Sequence, residues 1–175
     1  MSAFGLFIAS GPLRRLARTL PLVGLLAGMV APPALALDTR QAERVVAVLE
    51  ELHEETGDTV YFDEQAALEW YERDEHASRR IAAAGFDRQS WKEAFDETLT
   101  GFLAAVPQAD IDRMFAAFDD HLAATPQLTE REKRQAASIW EAQRSKLRSI
   151  RADGAQHATL VAPYVGRLKQ IAASP

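Results

Sequence analysis

The sequence contains no cysteine. That absence excludes structural disulfides, a lipoprotein anchor, covalently attached c-type haem and thiolate metal sites. Histidine is scarce as well, present only as His53, His76, His121 and His157. There is no Gly-x-Ser-x-Gly elbow, no phosphate-binding glycine loop, no dinucleotide fingerprint and no His-Glu-x-x-His zinc motif. Strand patterning is missing too. Thr59-Val60-Tyr61-Phe62 is the one short apolar connector of that kind, and without a partner strand it reads as a loop docked on the core. Basic charge is in deficit, with 20 Lys and Arg against 25 Asp and Glu. A net-acidic chain is a poor ligand for nucleic acid or for anionic membrane surfaces.

The first 36 residues have the form of an export signal. Arg14, Arg15 and Arg18 supply a positive start, Leu20 to Ala31 an apolar run, and Pro32-Pro33 a helix break. Ala34-Leu35-Ala36 puts small residues at the two positions a signal peptidase reads, which places cleavage before Leu37. The alternative is an uncleaved anchor, because Thr19 to Leu37 is near bilayer-spanning length. Ala17 and Arg18 spoil a twin-arginine signal, so the general secretory route and a Gram-negative periplasm are expected. Processing leaves one domain, residues 37–175, with 17 basic and 25 acidic residues, a balance of −8.

That domain reads as all-α. Asp38 with Gln41 forms a capping box before the stripe Ala42, Val45, Val46, Leu49 and Leu52, and Gly57 stops that helix. Asp63 opens a second helix whose stripe is Ala67, Trp70, Asp74, Ala77, Ile81 and Ala84, ending at Gly85. Asp87 caps a third, with Phe86 and Trp91 spaced as a hydrophobic staple. Its face is Trp91, Phe95, Leu99, Phe102 and Val106, and Pro107 ends it. Ile111, Met114, Phe115, Phe118 and Leu122 mark a fourth helix from about Asp110. Thr129 with Glu132 is a second capping box, opening a long final helix.

The final helix carries a seam at alternating steps of four and three: Ala136, Trp140, Gln143, Leu147, Ile150, Gly154, His157, Val161, Tyr164, Leu168 and Ile171. Gly154 and Pro163 are weak points, costing about 1 and 3 kcal/mol in a helix interior. The seam keeps its phase across both, so a bent continuous helix is expected, with a break at Gly154 as the alternative. The expected fold is therefore a helical bundle: four shorter helices packed on one long, bent, C-terminal helix.

The sequence shows no catalytic constellation, so a non-enzymatic protein is expected, and no cofactor is indicated. A di-metal carboxylate site needs two Glu-x-x-His motifs. Glu50 with His53 gives one, and no second copy exists. Glu69, Glu72 and His76 share one helical face and are the candidate divalent-metal ligands, against a solvated acidic face as the simpler reading. Asp74, Gln143 and His157 fall on apolar seams and are expected to be buried. Asp74 should then find a basic or hydrogen-bonding partner on the final helix, such as His157, Gln143 or a flanking Arg. Those groups either set helix register or line a polar pocket. From Glu50 to His76 there are 11 acids and one Arg, while Glu130 to Lys169 holds nine basic residues and four acids, so the two faces could meet across the bundle. The functional expectation is an exported binding or envelope accessory module with an unknown protein or small-molecule partner. The alternative is a small-ligand or divalent-metal-binding bundle using the acidic 50–76 region or the Asp74/His157 seam.

Overall fold

The computed structural model describes residues 37–60, 63 and 65–172. The proposed signal, together with Tyr61 and Phe62 of the connector, lies outside the described residues. Among those residues there is no strand, and the chain is an all-α bundle. Its helices are α1 (Thr39–Thr56), α2 (Ala66–Glu75), α3 (Arg80–Ala83), α4 (Arg88–Ala105), α5 (Gln108–Ala124), α6 (Glu130–Asp153), α7 (Ala158–Val161) and α8 (Val165–Ala172).

The helix starts are where the capping chemistry put them. Asp38 accepts from Gln41 N at 2.7 Å, and Gln41 Oε1 accepts from Asp38 N at 3.1 Å. Asp87 and Ser90 form the equivalent box at α4, and Thr129 and Glu132 at α6. The Phe86 and Trp91 rings meet edge-on at 5.7 Å, as the staple requires. Gly57, at φ +70°, takes the left-handed conformation that ends α1 and donates back to His53 O at 2.8 Å. Beyond it Val60 is buried and donates to Ile171 O at 3.1 Å, which docks the connector on the core.

The second helix differs from expectation. It is not continuous to Gly85: α2 ends at Glu75, and a turn with Arg79 at φ 55° leads into α3. The N-cap is Gln65 rather than Asp63, but the Asp63 carboxylate, two residues earlier, accepts from Gln65 N and Ala66 N, each at 2.7 Å.

The centre of the bundle is α4 rather than the long C-terminal helix. It touches α1, α2, α6, α7 and α8. Trp91, Ala94, Phe95, Thr98, Leu99, Gly101, Phe102 and Leu103 are all buried along it, more than one face can supply. Trp91 Nε1 donates to Ala67 O at 2.8 Å and pins α2 to it.

Against α4 lies the C-terminal run, α6 to α8, joined by two 3₁₀ turns, Gly154–His157 and Ala162–Tyr164. Gly154, His157 and Val161 all keep right-handed dihedrals, so the run tightens locally without reversing. Pro163 sits at the start of the second turn, where its missing N–H is least needed. Gly154 is explained by proximity. A Cβ there would stand 2.2 Å from Thr100 O and 2.9 Å from Gly101 N. Gly101 is its counterpart, since a Cβ on it would stand 2.9 Å from both His157 Cβ and Val161 Cγ2. The two helices cross backbone on backbone.

The crossing sets opposite outcomes for two glycines in the same run. Gly154→Ala is expected to destabilise the fold by at least about 2 kcal/mol, because backbone rather than a pliable side chain blocks the new methyl. Gly166→Ala meets nothing within 4 Å and is expected to stabilise by about 0.4–1 kcal/mol. Urea unfolding of the two variants checks the signs.

Candidate functional site

The three polar seam residues part company in the structure. Asp74 is 2 % exposed, as a seam position demands. Its partners are not on the final helix, however. Its two carboxylate oxygens accept from Arg80 N at 2.9 Å and Ile81 N at 2.8 Å. The carboxylate thus caps α3 across the turn, a role created by the break after α2. His157 is buried at the α4 crossing, with Nε2 3.9 Å from Glu97 Oε1. Gln143 is only half-buried, because α5 alone covers that part of α6. The three do not converge on a common pocket, so the polar seam is structural at Asp74 and dispersed elsewhere.

The acidic stretch from Glu50 to His76 is matched mostly by nearby arginines. Arg80 reaches Glu51 at 2.7 Å and Glu55 at 2.9 Å. Arg73 pairs with Asp58, and Arg88 holds Glu72 at 2.6 Å. Glu50 crosses to the basic C-terminal run, gripped by Arg167 with Nε to Oε1 at 2.7 Å and a second contact through NH2. That pairing uses the carboxylate of the lone Glu-x-x-His motif, and His53 Nδ1 lies 2.7 Å from Asp58 O. Of the candidate metal ligands, Glu72 is the one held by Arg88, and His76 Nδ1 bonds Glu72 O at 2.8 Å. Glu69 borders a cavity of about 260 Å³ beside Trp70 and the Asp58–Arg73 pair. Among the described residues no three His, Asp or Glu side chains form a metal-type cluster.

An open groove of about 490 Å³ lies between α5 and α6. Its floor is apolar: Ile111, Phe115 and Ala116 from α5, Leu147 from α6. Its rims carry both signs, Asp112 and Asp119 on one side, Arg144, Arg148 and Arg151 with Glu141 on the other. Asp112, Ala116, Asp119, Glu141 and Arg148 are exposed, so the groove is open along its length.

Each arginine is already engaged. Arg144 pairs with Asp119 and lies 4.7 Å over the Phe115 ring. Arg148 reaches Glu141 at 2.7 Å. Arg151 donates to Leu103 O and, at 2.9 Å, to Val106 O, closing the C-terminal end of α4. Burial pulls the Arg151 guanidinium below its ordinary pKa. Arg144 and Arg148 are thus matched by acids, while the Arg151 guanidinium is committed to two backbone carbonyls with the Asp112 charge nearby. Sequence reading missed this set. The signal was present in the spacing of Arg144, Arg148 and Arg151, which repeats at four and three residues within the basic run.

Comparison with protein-family models, with curated proteins and with solved structures found no match for this chain. The site must be read from its own geometry.

Towards its tip the same two helices bury little. Phe115 is the only buried residue of α5 and Leu147 the only one of α6. Trp140 stacks on Phe118 at 4.1 Å and meets Phe115 edge-on at 5.3 Å, while Ile139 is 57 % exposed. No described helix is long and apolar enough to cross a membrane.

Two measurements follow from these contacts. Asp74→Ala leaves two backbone donors without their acceptor, at an expected loss of about 1–3 kcal/mol in chemical denaturation. Asp110 supplies a pH dependence. A hydrogen bond from Lys169, at 3.0 Å, holds its carboxyl below the ordinary value of 3.8, aided by the charges of Lys169 and Arg113. The unfolded chain therefore takes up that proton first. The stability from Asp110 is complete above the ordinary value and is lost as pH falls through the lowered one. The Tm gap between wild type and Asp110→Asn should be constant near neutrality and shrink below about pH 4.

Proposed function

We propose that this protein is an exported, non-enzymatic binding module of the bacterial periplasm, and that it holds an amphipathic helical segment of a protein partner in the α5–α6 groove. The observation that carries the reading is the groove itself: an apolar floor with rims of both charges, running between two helices. An amphipathic helix matches such a floor with its apolar stripe and the rims with its flanking charges. The half-buried stripe of Phe118 and Trp140 extends the floor towards the tip of the hairpin.

Other readings have less support. An anionic small molecule would need a free cation, and in the groove Arg144 and Arg148 are ion-paired while Arg151 donates to two backbone carbonyls. A small ligand generally needs a site that encloses most of its surface, and this one is open. The export signal, the secretory route and the periplasmic address rest on the Arg14-to-Ala36 pattern.

The absence of cysteine makes the test direct. Ala116→Cys in the groove and Glu54→Cys on the exposed side of α1 each accept a photoactivated cross-linker without background labelling. In periplasm, Ala116→Cys is expected to give one discrete protein adduct that Arg148→Glu abolishes, and Glu54→Cys to give none. Equal adducts from both positions, or none from the groove, would contradict the reading. Added small-molecule mass on the protein in native mass spectrometry would replace it with the ligand-binding alternative.

A further inference from the structure

Leu37 is the first described residue of the fold and is buried, at 4 % exposed. Its backbone nitrogen donates to Glu97 Oε2 at 3.0 Å, a contact spanning 60 residues of sequence. Glu97 stands on α4 one turn before Gly101, and its other oxygen faces His157 Nε2 at 3.9 Å. Leu37, the central helix and the C-terminal run therefore meet at one carboxylate. The next residue, Asp38, already caps α1, so the position of Leu37 is fixed from both sides. The sequence that precedes it ends in the small-x-small pattern Ala34-Leu35-Ala36.

We propose that Glu97 is the receptor for the new N-terminus made by processing, so that cleavage completes the fold. The inference rests on the export reading above. A signal peptidase hydrolyses the Ala36–Leu37 bond: water's hydroxyl goes to the Ala36 carbonyl carbon, the C–N bond breaks, and the Leu37 nitrogen leaves as an amine that is protonated in water. This happens on the unfolded chain during export, before Leu37 is buried. Folding then delivers a full positive charge with three donors to a carboxylate that otherwise receives one amide N–H. Charge-assisted bonds of this kind are roughly twice as strong as neutral ones. The ammonium also balances Glu97 in a place shared with the nearly covered His157 ring, which is 10 % exposed.

Two arms keep processing and capture apart. Export of the full chain in a secreting Gram-negative host, followed by N-terminal sequencing of the folded product, reads processing alone. Leu37 as first residue is expected; any other start overturns the cleavage site. Capture is read on protein whose first residue is set to Leu37 by tag removal. Every member of the described core lies between Leu37 and Ile171, so this form carries that whole core. Acetylating the α-amine under denaturant and refolding beside an untreated control is expected to lower Tm by about 3 °C or more, and to change nothing in Glu97→Gln. An equal Tm for both forms, or an equal loss in Glu97→Gln, overturns capture. NMR titration of the Leu37 α-amine is the second readout. Its midpoint should lie above the ordinary value of about 8 in the wild type and return to it in Glu97→Gln. An ordinary midpoint in the wild type overturns capture even if a variant fails to fold.

Discussion

The bundle depends on one close approach. At Gly101 and Gly154 two helices lie backbone against backbone, and neither position has room for a methyl group. Glycine in a helix interior sacrifices about 1 kcal/mol of helix propensity. Here that loss is offset by what the approach allows: Val161 and His157 reach α4, and Leu168 and Ile171 follow onto α1 and the connector. Because α4 also packs on α1 and, through Trp91, on α2, the crossing joins those helices to the C-terminal run through one helix.

The consequence is an uneven molecule. Around α4 the side chains are closed off from water. Beyond Leu147, towards the tip of the α5–α6 hairpin, a single helix covers each seam and aromatic stacking replaces enclosure. Paired charges dominate the groove rims, and exposed pairs of that kind contribute little stability, with a median of about 0–1 kcal/mol. The region that carries the proposed partner contact is thus also the region least tied to the core. Such a division lets a binding hairpin adjust without unfolding the rest.

Much of this was legible in the residues. Steps of four and three from Ala136 to Ile171 correctly marked the inward side of the C-terminal run, because helical period survives the 3₁₀ turns. The boxes at Asp38 and Thr129 and the staple at Phe86 are local chemistry, and local chemistry can be read in order along the chain. What was hidden depends on distant contacts. Gly154 looked like a weak point because the Thr100 backbone opposite it is invisible to periodicity. Asp74 lay on a stripe that seemed unbroken to Ala84, and the turn at Arg79 gave it backbone partners that no spacing rule proposes. Gln143 keeps the seam's phase but loses its burial, since phase reports direction and not whether anything covers that side. In sequence the groove arginines are only part of a basic run, and the pairing of Arg144 with Asp119 exists only once the α5–α6 hairpin is folded.

Native-state hydrogen exchange, resolved by residue, tests the central claim most directly. Amides of α4, the inner turns of α1 and the run from Gly154 to Ile171 should exchange only with global unfolding, as one unit. Those of α5 and of α6 before Leu147 should exchange earlier, through a smaller opening. Uniform protection, or a hairpin more protected than α4, would contradict a fold built on the glycine crossing.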